Sequence, residues 1–304
     1  CGSSYTDGNY QSMSYDDAVT ELKTLSNSIN ETVAYESIDK VPVDMNYAGS
    51  DIASSLADID TFKMVVEGEG DINIEIAAPS EFTSLTSNTD NWLVEQAKAF
   101  NRSGYTIDGS SVSVSIRAIS SGETVTYMVN GGYTPDAYIP SNDAFGKMLK
   151  ASGVGVIKIT DRLAGNTAGI LMKKDAYDKV TEKYGEVTIS NVLDAAIAGD
   201  IMFGYTNPYT SATGLNMLTA MLYAFDSSNP LSDTATAKLI EYQKNAPTAA
   251  YTTSVLRNSA SKGIIDAMVM EEQSYINTAE LKNYVYTPAG LRHDHPVYTF
   301  DYVN

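Results

Sequence analysis

VSVSIRAISSGETVTYMVNGG (residues 112–132) decides the architecture. Val112, Val114 and Ile116 alternate with Ser113, Ser115 and Arg117, the period of a half-buried strand. Ser120-Ser121-Gly122 breaks the alternation, and the chain then reads as a helix from about Glu123 to Asn130. Gly131-Gly132 supplies the residue type that tolerates the left-handed turn ending a helix. A strand that passes through a short hydroxyl-bearing loop into a helix is one unit of a parallel sheet covered by helices.

The same unit recurs on both sides. Upstream, Ile72 to Ala78 (INIEIAA) alternates as a strand, residues 79–90 are a Ser/Thr-rich loop, and Leu93, Val94, Ala97 and Phe100 mark a helical face. Downstream, Asp136 to Ile139 is a short strand, followed by Pro140-Ser141-Asn142-Asp143 and a further helix. A second series follows: a strand at 168–172, helices at 176–184 and 187–198, and a strand at 201–205. Next come the turn Asn207-Pro208-Tyr209-Thr210-Ser211, a helix bearing Leu215, Leu218, Leu222 and Phe225, and a helix at 239–244. Ile264 to Met270 is an apolar strand and Val297 to Tyr302 a last one. Near the start, Val65-Val66 reads as a strand. Ser14-Tyr15-Asp16-Asp17 has the spacing of a helix-capping box ahead of Ala18, Leu22, Leu25 and Ile29.

Composition narrows the function. With 43% hydrophobic and 19% charged residues the chain is globular, and 304 residues suffice for two lobes. The best apolar run, Gly263 to Met270, is far short of the ~18–20 residues of a membrane span and carries Asp266. A net charge of −18 repels phosphate backbones, so nucleic acid is not an expected partner. The one cysteine is Cys1, which leaves no disulfide within the chain and no thiolate metal cluster. The opening Cys1-Gly2-Ser3-Ser4 resembles a mature bacterial lipoprotein, with lipid on Cys1 and residues 1–13 as a polar tether.

Catalytic patterns are sparse. The G-x-S-x-G elbow, the phosphate-binding loop, H-E-x-x-H and the dinucleotide fingerprint do not occur. Ser259-Ala260-Ser261-Lys262 matches S-x-x-K, but its companion K-T-G is missing. His293 and His295 would share a strand face, yet no third metal ligand is evident, so neither a metal nor a cofactor is expected. The positive signal lies in the loops that follow strands and lead into helices: Ser80 to Ser84, Ser120-Ser121-Gly122, Ser141-Asn142, and Thr210-Ser211-Ala212-Thr213-Gly214. In open α/β sheets such loops gather at the carboxyl ends of the strands, where helix N-termini present unpaired N–H groups.

These segments, in this order, resemble the type II periplasmic binding proteins, in the branch holding the molybdate and related oxyanion binders. INIEIAAPSEFTSL resembles the first strand and its serine loop, and VSVSIRAISSGETVTYMVNGGYTPDAYIPSNDAF the second strand with its Ser-Ser loop. ITDRLAGNTAGILMKK, IMFGYTNPYTSATGLNML and KGIIDAMVMEEQSY resemble the crossing to lobe two, its strand-to-helix turn, and the strand leading back. The resemblance implies a two-lobed α/β fold, each lobe a mainly parallel sheet flanked by helices. After a tether (1–13) and an extension (14–70), lobe one comprises 71–163 and 273–304, and lobe two 164–272. It implies ligand contacts at Ser80, at Ser121 or Ser120, and at Thr210, Ser211 and Thr213, walled further by Tyr209 and Tyr275; the loop placement adds Ser84, Gly122 and Ser141 to the expected ligand site. Glu271 or Glu272 falls beside the ligand, and a carboxylate there departs from a simple oxyanion pocket.

The expected function is capture of a small polar molecule, possibly an oxyanion, by a monomer that hands it to an ABC permease, without chemistry on the ligand. The alternatives are a surface interaction or sensor module that keeps the fold without transport, and a serine hydrolase using Ser259 and Lys262. The chain also ends soon after its last strand, where relatives add a closing helix. The helix beginning near Tyr15 would fill that place if the chain is not truncated.

Overall fold

The computed structural model describes residues 56–87, 89–245, 253–263 and 265–303, with isolated positions at 14, 16, 17, 20 and 24. Cys1 and the tether lie outside the described residues. Of the first helix only the capping box is visible: Ser14 Oγ accepts from Asp17 N at 3.2 Å, and positions 16, 17, 20 and 24 are helical.

The chain builds two sheets. The larger is seven-stranded and contains β1 (Met64–Val66), β2 (Ile72–Ala78), β3 (Thr106–Ile107), β4 (Ser110–Ala118), β5 (Ala137–Tyr138), β6 (Val156–Thr160) and β11 (Val297–Phe300), in the order β1-β4-β2-β5-β11-β6 with β3 on β4. The smaller is four-stranded, in the order β10-β7-β9-β8, from β7 (Asn166–Met172), β8 (Phe203–Gly204), β9 (Ala267–Glu271) and β10 (Val285–His293). The helices are α1 (Ser80–Thr83), α2 (Trp92–Arg102), α3 (Ser121–Val129), α4 (Asp143–Ala151), α5 (Lys174–Tyr184), α6 (Ile189–Ile197), α7 (Ala212–Phe225), α8 (Asp233–Asn245), α9 (Thr253–Ser261) and α10 (Glu272–Ile276).

The sequence rhythm maps onto the larger sheet. β2 pairs in parallel with both β4 and β5, and the fully in-register run from Ile72↔Val112 to Ala78↔Ala118 is its centre. Tyr127, Tyr133, Tyr138, Phe145 and Leu149 fill one face beneath α3 and α4; Val66, Phe82, Leu93 and Val94 fill the other beneath α1 and α2. The stop of α3 is a Schellman turn. Gly131 stands at φ +73°, Gly132 N donates to Tyr127 O at 2.8 Å, and Gly131 N to Met128 O at 3.1 Å.

Two features differ from the sequence expectation. The sheets are mixed rather than mainly parallel, because β7 runs antiparallel to both β9 and β10, and β11 runs antiparallel to β5 and β6. β7, β10 and β11 flank the passages between the sheets, so no covering helix forces them into parallel order. The return to the larger sheet also comes late. β10 still belongs to the smaller sheet, and the chain crosses back at 294–296 rather than near 272. A register shift between Pro288 and Leu291 interrupts the alternation that would have revealed β10 as a strand. Among the described residues no helix is long and apolar enough to cross a membrane.

Candidate ligand-binding site

The strand-to-helix loops of both sheets converge on one pocket. Its walls are Pro79, Ser80, Glu81, Ser120, Ser121 and Ser141 from the larger sheet, and Thr210, Ser211, Ala212, Thr213 and Glu271 from the smaller. The space is narrow: only about 20 Å³ admits the centre of a water molecule, room for a group of very few atoms.

Each wall is built by helix capping. Ser120 Oγ accepts from Glu123 N at 3.4 Å and donates to Glu123 Oε2 at 2.8 Å, which starts α3. Ser211 Oγ accepts from Gly214 N at 3.4 Å and from Thr206 Oγ1 at 2.7 Å, which starts α7. The Ser120 hydroxyl is therefore spent on its cap, whereas Ser211 Oγ accepts twice and keeps its proton to donate. The caps place the first turns of α3 and α7 against the pocket, which Ser121, Ala212 and Thr213 line. Ser121 Oγ accepts from Ser141 N at 3.1 Å and lies 3.3 Å from Ser141 Oγ, so these two serines form a buried pair on the larger-sheet side.

The two sides touch beside the pocket. Gly122 N donates to Thr210 O at 3.1 Å, and a Cβ on Gly122 would lie 1.9 Å from Tyr209 O. Gly122 is thus one point of contact between the two sides and not a lining residue. Ser84 is not in the wall either; its hydroxyl accepts from Thr86 N and Ser87 N and closes the turn after α1. Tyr209 is 86% exposed and stands outside the pocket. Tyr275 stacks on Tyr286 with ring centroids 5.3 Å apart and is likewise not in the wall. Ser259 Oγ donates to Val255 O of its own helix and lies outside the pocket wall.

Two acids distinguish this pocket. Glu271, at the end of β9, is buried and accepts from Thr213 Oγ1. Glu81, in the first turn of α1, accepts from Ser141 Oγ and from His295 Nε2, the latter at 3.2 Å. Burial alone would raise the Glu81 pKa, but the His295 and Ser141 contacts outweigh it and bring it down to about 2. Burial lowers His295, and the Glu81 carboxylate more than compensates, so its pKa ends above the ordinary histidine value. None of the lining residues is Lys or Arg.

Sequence reasoning missed Glu81 and His295 as a pair. They are 214 residues apart, and the one local signal was an acid in the first turn of a helix. His293, at the end of β10, is 1% exposed, and among the described residues neither ring nitrogen has a hydrogen-bond partner. Burial lowers its pKa to about 4, so the fold holds a neutral ring. The unfolded chain takes up the proton first, so this contribution to stability is complete above pH 6.5 and is lost as pH falls toward 4. By pH 5 the loss is about 2 kcal/mol. Denaturant unfolding at pH 7 and pH 5 checks this: His293→Leu is expected to be near neutral at pH 7 and to flatten the decline. An unchanged decline would contradict it.

Two sheets joined by crossings at 161–165 and 294–296, with a pocket walled from both, define a binding protein of the two-lobed periplasmic class. A model of the bacterial extracellular solute-binding protein family matches residues 85–301, and the chain belongs to that family. Among solved structures it is similar to the sulfate-binding protein SubI from Mycobacterium tuberculosis H37Rv (13% identity, 76% of each chain covered, TM-score 0.54). It is also similar to a periplasmic thiamin binding protein (14% identity, 78% of this chain and 76% of that chain, TM-score 0.54). At these identities the likeness is one of fold. No curated protein sequence matches.

Proposed function

We propose that the protein captures a small polar ligand between its two lobes and that an ABC permease reads the closed form. The lobes are the larger sheet with its helices and the smaller sheet with its helices, and the ligand touches both. The observation that carries the reading is the convergence of strand-to-helix loops from both sheets on one pocket. Contacts from two lobes favour the closed state over the open one, which is all that hinge capture requires. Supporting a binder rather than an enzyme, the family is one of solute-binding proteins.

The walls also constrain the ligand. The first turns of α3 and α7 bring the positive ends of their helix dipoles to the pocket and reward an acceptor, whereas the ionised form of Glu271 rewards a donor. An oxyanion without a proton would face Glu271 with no Lys or Arg in the wall to offset the repulsion. The ligand this pocket suits is a compact molecule of few atoms that accepts at the helix ends and donates to Glu271. A thermal-shift screen of oxyanions at several pH values, small amino acids and small hydroxylated compounds tests this. Ligand at ~100-fold above its dissociation constant stabilises by ~2.7 kcal/mol, a rise of a few degrees. The responding compound should lose at least tenfold in affinity in Ser121→Ala and in Glu271→Gln. A response untouched by both substitutions would place the ligand elsewhere.

The same reading has the protein held at the outer face of the membrane by lipid on Cys1, working as a monomer. Cys1→Ser should then release it from the membrane fraction in its host. Full retention would rule the anchor out.

A further inference from the structure

We propose that His295 is the positioning residue that couples the ligand pocket to both strands joining the two lobes. The inference rests on the pocket assigned above, and its test uses no ligand. His295 sits in the return crossing between β10 and β11, is 1% exposed, and takes φ +45°, a left-handed conformation that a non-glycine residue adopts at a cost. Something must hold it there, and four contacts do. Its backbone O accepts from Leu163 N at 3.0 Å and its Nδ1 lies 3.0 Å from Ala164 O, both in the outgoing crossing. Its backbone N donates to Ser141 O at 3.2 Å, and its Nε2 lies 3.2 Å from Glu81 Oε1, both pocket-lining residues. One side chain therefore ties the two crossings to each other and to the pocket wall. A donor at Nε2 fixes Glu81, Glu81 fixes Ser141 Oγ, and Ser141 is paired with Ser121.

The ring must be doubly protonated to donate to both oxygens at once, and its surroundings favour that state. Glu81 from α1 faces Nε2, and Glu271 at the end of β9 adds a weaker attraction. The opposing group is His293 on β10, 6.2 Å away between ring centroids and held neutral by burial. Asp294 beside it is taken up by Arg162 at 2.8 Å and Arg292 at 3.0 Å, and the Phe82 ring covers the imidazole at 4.4 Å. Because the His295 pKa is raised in the fold, the link is fully present below pH 6.5 and is lost as pH rises through the raised value.

The chain has only two histidines, so ¹⁵N-histidine labelling yields two separable titrations. His295 should titrate above, and His293 below, the ordinary histidine value. Hydrogen exchange at the Leu163 and His295 amides then reads the crossings. Glu81→Gln, which keeps the shape of the pocket and removes its charge, should lower the His295 titration and speed exchange at both amides roughly tenfold at pH 7, the effect of losing one charge-assisted hydrogen bond. In the native chain exchange there should rise with pH beyond its intrinsic rate, and in His295→Gln that excess should vanish. Crossing exchange indifferent to Glu81→Gln, or a His295 that titrates at or below the ordinary value, would overturn the proposal. If His295→Gln does not fold, the Glu81→Gln arm decides alone.

Discussion

Gly122→Ala is expected to weaken ligand binding by at least 100-fold while leaving each lobe intact. The added Cβ would stand 1.9 Å from Tyr209 O, 2.7 Å from Tyr209 C and 2.9 Å from Thr210 Cα. These are backbone atoms of the opposite lobe, so no side-chain rotation relieves the clash. Opening the lobes is the remaining escape, and it also breaks the Gly122 N to Thr210 O bond. A 100-fold loss corresponds to about 2.7 kcal/mol against closure. Within its own lobe Gly122 lies in the first turn of α3, where alanine favours the helix. The substitution should therefore hold or raise the melting temperature of the ligand-free protein while removing the ligand-induced rise. Wild-type affinity in Gly122→Ala would mean that the lobes do not meet at this glycine when ligand binds.

Arg257→Ala is the second change with a large expected effect. Arg257 Nη1 on α9 meets Asp90 Oδ2, in the loop before α2, at 2.7 Å, and Gln273 Nε2 approaches Asp90 Oδ1 at 3.3 Å. The pair bridges the two lobes, and Asp90 is only 3% exposed. Removing one partner of a buried ion pair typically costs ~3–5 kcal/mol, since it strands the other charge. Because the pair bridges the two lobes, its loss falls on the closed state. Ligand affinity should drop roughly 100- to 1,000-fold, and pairing Arg257→Ala with Asp90→Ala should restore part of it. Titration calorimetry on the four proteins of that cycle measures the coupling. Additive effects of the two substitutions would show that the bridge does not hold the lobes together.

What the sequence disclosed was what local periodicity encodes. β2 and β4 are 7 and 9 residues long, and the apolar/polar alternation at 72–76 and 112–117 made both readable, though not the burial of Ser113, Ser115 and Arg117; the Gly131-Gly132 stop was readable too. β10 is broken by its register shift and had no period to display, whereas the two-residue β8 fell within the strand read at 201–205. α9 was read only through its Ser259 to Lys262 pattern, although Leu256 and Ala260 point one helical turn apart into the core beside β9. The pocket followed the same division. Ser121, Ser141 and Thr213, which line the pocket, could be singled out because each sits in a strand-to-helix loop, a local feature. The Glu81–His295 pair and the Arg257–Asp90 bridge join residues 214 and 167 apart, and only the folded chain brings them together.

The crystal structure of the protein with the compound returned by the thermal-shift screen tests the central claim most directly. The account predicts one ligand between the lobes, within hydrogen-bonding distance of residues from both walls, such as Ser121 or Ser141 on one side and Thr213 or Glu271 on the other, with Gly122 N still on Thr210 O. A ligand held by one lobe alone, or bound away from these walls with the lobes parted, would contradict it.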